Sequence, residues 1–290
     1  MNSDTYTYNG ETYRRQGDEW INAATWLKPP LVIARELDRQ FGRPANPTTN
    51  TPSVKRATPR APGKPGRDFT GLAETDFSGN IAGTSWRKKT SLGGMLAQRL
   101  ADITGRPFLS NVVSRRTMVL IGQPPRFDSN NVDKINLRKA KFYFRLNETG
   151  ANYGFYIEKE DKPMDDSWEW PTFLKALRET AVTSAVEQAM VDHDLAWFVQ
   201  HYEGSKDGPR SDLNFVLGDP LIQQMAEGER PITWSDLAGR LDEAAPLDWY
   251  DVFLRRQLSR DEAMALGAKI VEPVVDVFRP LIPLYNACAG

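Results

Sequence analysis

Glu160-Asp161-Lys162 places an acid and a lysine two positions apart directly after a β-rich run, with Asp128 or Asp133 upstream as a second carboxylate. Two carboxylates can hold Mg²⁺ while a lysine orients an attacking water, so the spacing suits metal-assisted phosphodiester hydrolysis. Pro163 ends the strand at once, and with 26% of residues charged such a triplet also arises by chance as a solvated turn. Asp133, Glu160 and Lys162 are therefore the candidate catalytic set of an alternative reading, the only one that calls for a cofactor, Mg²⁺.

The stronger chemical signal is charge. The chain has 37 Lys/Arg and 38 Asp/Glu, a net charge of −1, but they are unevenly spread. Residues 76–148 hold 13 basic and 5 acidic side chains, whereas residues 149–290 hold 13 and 25. The basic band includes Arg87, Lys88 and Lys89, then Arg115 and Arg116, then Arg138, Lys139 and Lys141, with Trp86, Phe127, Phe142, Tyr143 and Phe144 interspersed. Clustered cations supply phosphate contacts, and aromatic rings beside them stack on unpaired bases. Those eight basic residues are the expected nucleic-acid contacts. The alternative is that the acidic half neutralises the band within the molecule or across a subunit contact.

Other chemistries find little support. Gly83-Thr-Ser-Trp-Arg-Lys-Lys-Thr90 ends like a phosphate-binding loop, yet Lys88 stands where a second glycine must let the backbone wrap the phosphates. Asp192-His193-Asp194 lies on a predicted helix, where neighbours point about 100° apart and cannot share one ion. His193 and His201 are the two histidines and Cys288 the lone cysteine, with no Gly-x-Ser-x-Gly element to accompany them. Serine or cysteine nucleophiles and cysteine zinc sites are not expected.

The elements that must position these groups follow from hydropathy pattern. Thr117–Gly122, Lys141–Leu146 and Tyr153–Glu158 read as strands, the last two forming a hairpin through Asn147–Asn152. Before them, Leu92, Leu96, Leu100 and Ile103 share a helical face between an N-cap Ser91 and a closing Gly105. After them, Leu174, Leu177, Ala181, Ala185, Ala189 and Trp197 predict one helix of roughly thirty residues, from Pro171 to Tyr202, lying across the sheet. The acidic, tryptophan-rich run Asp161–Trp170 reads as its cap. Asp212–Leu217 reads as a returning strand. The remainder reads as helices: from Trp234, around Trp249–Leu254, and from the Ser259-Arg-Asp-Glu262 capping box, with Pro273, Pro280 and Pro283 kinking the last.

Asn9-Gly10 and Gly17-Asp18 separate short aromatic runs, predicting a three-stranded meander, followed by a helix near Leu31–Phe41. Residues 43–67, rich in Pro, Thr, Asn and Gly and basic after Val54, cannot repay ordering with burial and read as a flexible linker. The expected architecture is α+β: a βββα module over 1–42, the basic linker over 43–67, and a main domain over 68–290 in which an antiparallel sheet is packed by a long helix with a helical C-terminal part. No stretch approaches the roughly 20 apolar residues of a membrane span, no leader is apparent, and a cytoplasmic setting is expected.

Together these features point to a non-enzymatic nucleic-acid-binding or assembly subunit, whose acidic C-terminal half meets a protein partner. By organisation it would suit a DNA-recognition or genome-defence module working with a separate effector. The alternatives are the Mg²⁺-dependent nuclease and a purely protein-binding subunit.

Overall fold

In the computed structural model the described residues are 5–8, 10–16, 19–23, 29, 31–41, 69–79, 86–87, 91–113, 117–124, 127–128, 131–135, 138–243 and 246–289. The chain divides into two compact units, residues 1–60 and 61–290. The predicted linker over 43–67 lies outside the described residues.

In the first unit, strands β1 (Thr5–Tyr8), β2 (Glu11–Gln16) and β3 (Glu19–Asn22) form an antiparallel meander in sequence order, followed by helix α1 (Leu31–Phe41). Gly10 takes the positive φ of 80° that the first turn needs. Tyr13, Trp20 and Leu37 form a small core, edged by Tyr6, Tyr8, Ile33 and Ala34. The Trp20 indole donates to Asp38 at 3.0 Å, so the ring is buried without losing a partner for its N–H.

The second unit begins with α2 (Leu92–Thr104), closed as expected by Gly105 at φ 66°. Ser91 stands at its N-cap but makes no side-chain capping bond, and Ile103, on the last turn, is 39% exposed rather than part of the buried face. Then come β4 (Leu109–Val112), β5 (Met118–Gly122), a separate pair β6 (Phe127–Asp128) and β7 (Asn131–Ile135), and the hairpin β8 (Lys141–Asn147) and β9 (Gly150–Lys159). The turn is tighter than the six-residue loop expected, because Asn147 Oδ1 accepts from the Thr149 and Gly150 amides at 3.1 and 2.9 Å.

The predicted long helix is three elements: α3 (Trp170–Ala176), α4 (Thr180–His193) and a strand, β10 (Ala196–Tyr202). Asp194 ends α4 in the left-handed conformation at φ 52°, and the following Trp-Phe-Val-Gln-His-Tyr run is rich in strand-favouring aromatic and β-branched types. Strands β11 (Arg210–Leu217), β12 (Leu221–Met225) and β13 (Gly228–Ile232) follow, then α5 (Trp234–Asp242). Trp249–Leu254 is not helical either; it opens the eleven-residue strand β14 (Trp249–Ser259). Its first six residues alternate Tyr250, Val252 and Leu254 with Asp251 and Phe253, and both faces are buried, which hides the period of two. The Ser259 and Glu262 capping box starts α6 (Arg260–Ala265), and α7 (Val271–Phe278) and α8 (Ile282–Ala287) are separated by a 3₁₀ turn at Pro280.

These strands form one nine-stranded antiparallel sheet, ordered β13-β12-β11-β10-β14-β9-β8-β5-β4. The α+β class is thus as read from the pattern, although the last strand in sequence lies in the middle of the sheet. One face carries Phe142, Phe155, Leu254, Trp197 and Phe215 in a row across five strands. All five join the main core with the apolar residues of α2, α3, α4, α7 and α8, each worth about 2 kcal/mol of burial. No described helix of the chain is long and apolar enough to cross a membrane.

Candidate anion-binding face

The opposite face of the sheet carries different chemistry. Directly paired residues point to the same side, so the register lines them up. One row runs Lys141, Tyr156, Phe253, Phe198, Asn214; the next runs Glu158, Asp251, Gln200, Asp212. On the other flank lie Tyr143, Gly154 and Arg255, then Arg145, Asn152 and Gln257. The buried apolar cluster on this side, Met118, Leu120, Tyr143, Tyr156 and Phe253, includes no residue of a described helix.

Within this face is an open pocket of about 180 Å³ lined by Tyr143, Arg145, Asn147, Asn152, Phe198, Gln200, Arg210, Phe253 and Arg255. Its guanidinium groups come from three strands, β8, β11 and β14, and its lining contains no carboxylate. The Arg255 guanidinium lies 3.8 Å from the Phe198 ring centroid, and burial lowers its pKa from the ordinary arginine value. Arg210 is held by Asp212, with Nε 2.6 Å from Oδ1, which raises its pKa. With its amide turned so that Oε1 faces Arg210, Gln200 accepts from that guanidinium at 2.7 Å. Arg145 makes no hydrogen bond or ion pair among the described residues, and the buried Tyr143 hydroxyl likewise has no hydrogen-bond partner among them. Burial pushes the Tyr143 phenol pKa up, beyond the usual tyrosine range.

Beside the pocket lies a compact polar network. The Tyr156 hydroxyl is in hydrogen-bond contact with Glu158 and lies 2.6 Å from Asp251 Oδ1. Asp251 also accepts from the Trp249 indole at 3.1 Å and pairs with Lys206, whose ammonium sits over the rings of Tyr202 and Trp249 at 4.2 and 4.5 Å. Lys141 is 0% exposed, with its ammonium 4.9 Å from the Tyr156 ring centroid. Burial lowers its pKa to about 8, opposed by the charges of Glu158 and Asp251. Two lysines and two carboxylates thus leave the network close to neutral as a whole. On the helical side of the sheet, His201 stacks on Tyr250 at 4.4 Å and its Nε2 meets Asp248 at 3.0 Å.

The sequence-predicted contacts are dispersed. Arg87 is buried and donates to the Val113 carbonyl at 3.1 Å. Arg138 pairs with Glu160 at 3.6 Å and Asp165 at 3.3 Å and lies over the Trp168 ring; Lys139 faces Glu169 at 3.9 Å. The acids in these pairs come from the acidic half, and Lys141 is enclosed rather than presented to solvent. Lys88, Lys89, Arg115 and Arg116 lie outside the described residues, as do the side chains of Asp128 and Asp133. In the Glu-x-Lys triplet, Lys162 binds its own Glu160 at 2.9 Å, so that carboxylate is engaged by two cations. Among the described residues, no group of three or more His, Cys, Asp and Glu side chains is placed to hold a metal ion.

Arg210 and Arg255 were invisible to a charge count because they lie in the acidic half of the sequence. For Arg255 the signal is alternation: Lys141, Tyr143 and Arg145, like Asp251, Phe253 and Arg255, recur every second residue and so share a strand face. No protein-family model, no curated protein and no solved structure matches the chain.

Proposed function

We propose that the chain is a non-enzymatic nucleic-acid-binding subunit whose phosphate contacts are made by the arginine pocket on the face of the sheet away from the helices. The observation that carries this reading is the meeting of Arg145, Arg210 and Arg255, from three strands, in one carboxylate-free pocket beside Tyr143, Phe198 and Phe253. Arginine guanidinium groups are donor-only and match phosphate oxygens in pairs, and the aromatic side chains beside them form an apolar floor that strengthens such contacts. The helices cover one face of the sheet, and on the other the three guanidinium groups are reached through the pocket, a concave site able to seat part of a polyanion. In this reading the acidic C-terminal half, which supplies strands β9–β14 as well as helices, engages a protein effector through its exposed carboxylates.

The test is fluorescence anisotropy of the full chain with labelled single- and double-stranded DNA and RNA over a salt series. Affinity should fall steeply with salt, and Arg145→Gln and Arg255→Gln should each reduce the log-log slope by about 0.7 to 0.9, one phosphate contact each. Absence of binding to every probe at low salt would overturn the reading, as would variants with unchanged affinity and slope.

A further inference from the structure

We infer that the arginine pocket takes a terminal phosphomonoester of a nucleic-acid strand rather than a phosphodiester along its length. The inference rests on the nucleic-acid reading above and concerns the same pocket.

Four features support it. The first is size: about 180 Å³ is below the roughly 300 Å³ at which pockets begin to enclose drug-sized ligands, so the space suits one small group. The second is the donor balance. Guanidinium groups only donate, and Asn147 has its side-chain oxygen occupied by Thr149 and Gly150, which leaves its amide NH₂. Gln200, in the orientation that bonds Arg210, has its oxygen occupied as well. The three guanidinium groups, Asn147 and Gln200 thus turn donors to the pocket, which favours a ligand rich in acceptors.

The third feature is charge. Arg145, Arg210 and Arg255 carry three positive charges, and Asp212, bound to Arg210, removes one. The adjoining Lys141, Lys206, Glu158 and Asp251 add none in sum. A surplus of two matches a phosphomonoester, which carries about −1.5 to −2 at neutral pH, whereas an internal diester carries a single charge. The fourth is the Tyr143 hydroxyl, buried without a hydrogen-bond partner among the described residues. Such a group is costly to leave unpaired, and a phosphate oxygen at the pocket would satisfy it. Burial keeps the phenol protonated and so able to donate.

The experiment compares one internally labelled single strand carrying a 5′-phosphate, a 3′-phosphate or hydroxyl groups at both ends, binding to the full chain. One phosphorylated form should bind about tenfold tighter than the hydroxyl form. That preference should shrink as pH falls through about 6, where the monoester takes up its second proton. It should be lost in Arg145→Gln, retained in Arg99→Gln, and competed by a nucleoside monophosphate but not by the nucleoside. Equal binding of all three strands would overturn the terminal-phosphate inference and leave the nucleic-acid reading standing. No binding of any strand would overturn both. A preference that survives Arg145→Gln would place the end elsewhere, and should that variant fail to fold, lack of competition by the monophosphate would decide against the inference.

Discussion

The Arg255 guanidinium lies 3.8 Å from the centroid of the Phe198 ring, joining the neighbouring strands β14 and β10 on the face of the sheet away from the helices. A cation resting on a ring in a desolvated setting gains up to about 2 kcal/mol. Phe198→Leu keeps an apolar side chain but removes the π face. It should lower unfolding free energy by about 1 to 2 kcal/mol in urea titration and weaken oligonucleotide binding, because the guanidinium loses the support that orients it. Unchanged binding with reduced stability would separate the structural role of Phe198 from any part in recognition.

Asp251 is the acceptor on which the polar network closes, taking bonds from Tyr156, Trp249 and Lys206 while only 2% exposed. Removing it takes an acceptor from the Trp249 indole and the counter-charge from the partly enclosed Lys206 ammonium, while Tyr156 keeps Glu158. Asp251→Ala is expected to destabilise the chain by about 3 to 5 kcal/mol, the usual cost of breaking a buried pair from one side. Asp251→Asn, which keeps the shape and one acceptor oxygen, should cost less. Thermal and urea unfolding of the two variants side by side would show the order; equal, small losses would contradict it.

Lys141 makes stability depend on pH on the alkaline side. Its folded-state pKa is lowered to about 8 by burial, from an ordinary value of 10.5. Below pH 8 the ammonium is present in both states, and the folded state bears the full cost of enclosing it. Between those values the folded chain has released a proton that the unfolded chain keeps, so stability rises with pH, by about 3 kcal/mol in total. Measured as the difference between wild type and Lys141→Met, unfolding free energy should shift in favour of wild type as pH goes from about 7 to about 10. A difference that stays flat across that window would contradict it.

Gly154 admits no side chain. Its φ is 154°, and a Cβ built there would lie 2.0 Å from the Leu254 carbonyl oxygen on β14. Gly154→Ala must therefore push β9 and β14 apart at the centre of the sheet, and the expected loss is on the order of 3 to 5 kcal/mol. Circular dichroism and unfolding in urea would check it. A near-native midpoint would mean that the strands absorb the methyl group by local adjustment.

The parts of this architecture legible in the sequence are those where one signal dominates. Asn147-Glu-Thr-Gly between two β-rich runs marks the hairpin, and Ser259 with Glu262 marks the start of α6, since both are settled by local chemistry. Trp249–Leu254 hides its period of two because both of its faces are buried, and the aromatic and apolar residues of Ala196–Tyr202 continue the spacing of the preceding helix, so each fits a helical period as readily as alternation. The candidate site was hidden for a related reason. Arg145, Arg210 and Arg255 are far apart along the chain and meet only because β14, the last strand, pairs between β9 and β10. Pairing of distant strands is a tertiary fact, and no local pattern records it.

The order of the nine strands also bears on how the molecule behaves in a crowded solution. An open sheet exposes backbone donors and acceptors along its outermost strand, and these can recruit the same strand of another copy. Here that position at one end belongs to β13, a five-residue strand reading Gly228-Glu-Arg-Pro-Ile232. Pro231 brings no N–H to a further ladder, and the exposed Glu229 and Arg230 would need to be brought against their counterparts in an added strand. Replacing Pro231 and the two charges with strand-favouring apolar residues would turn a blunt margin into an adhesive one, so the end of the sheet farthest from β4 guards against self-association.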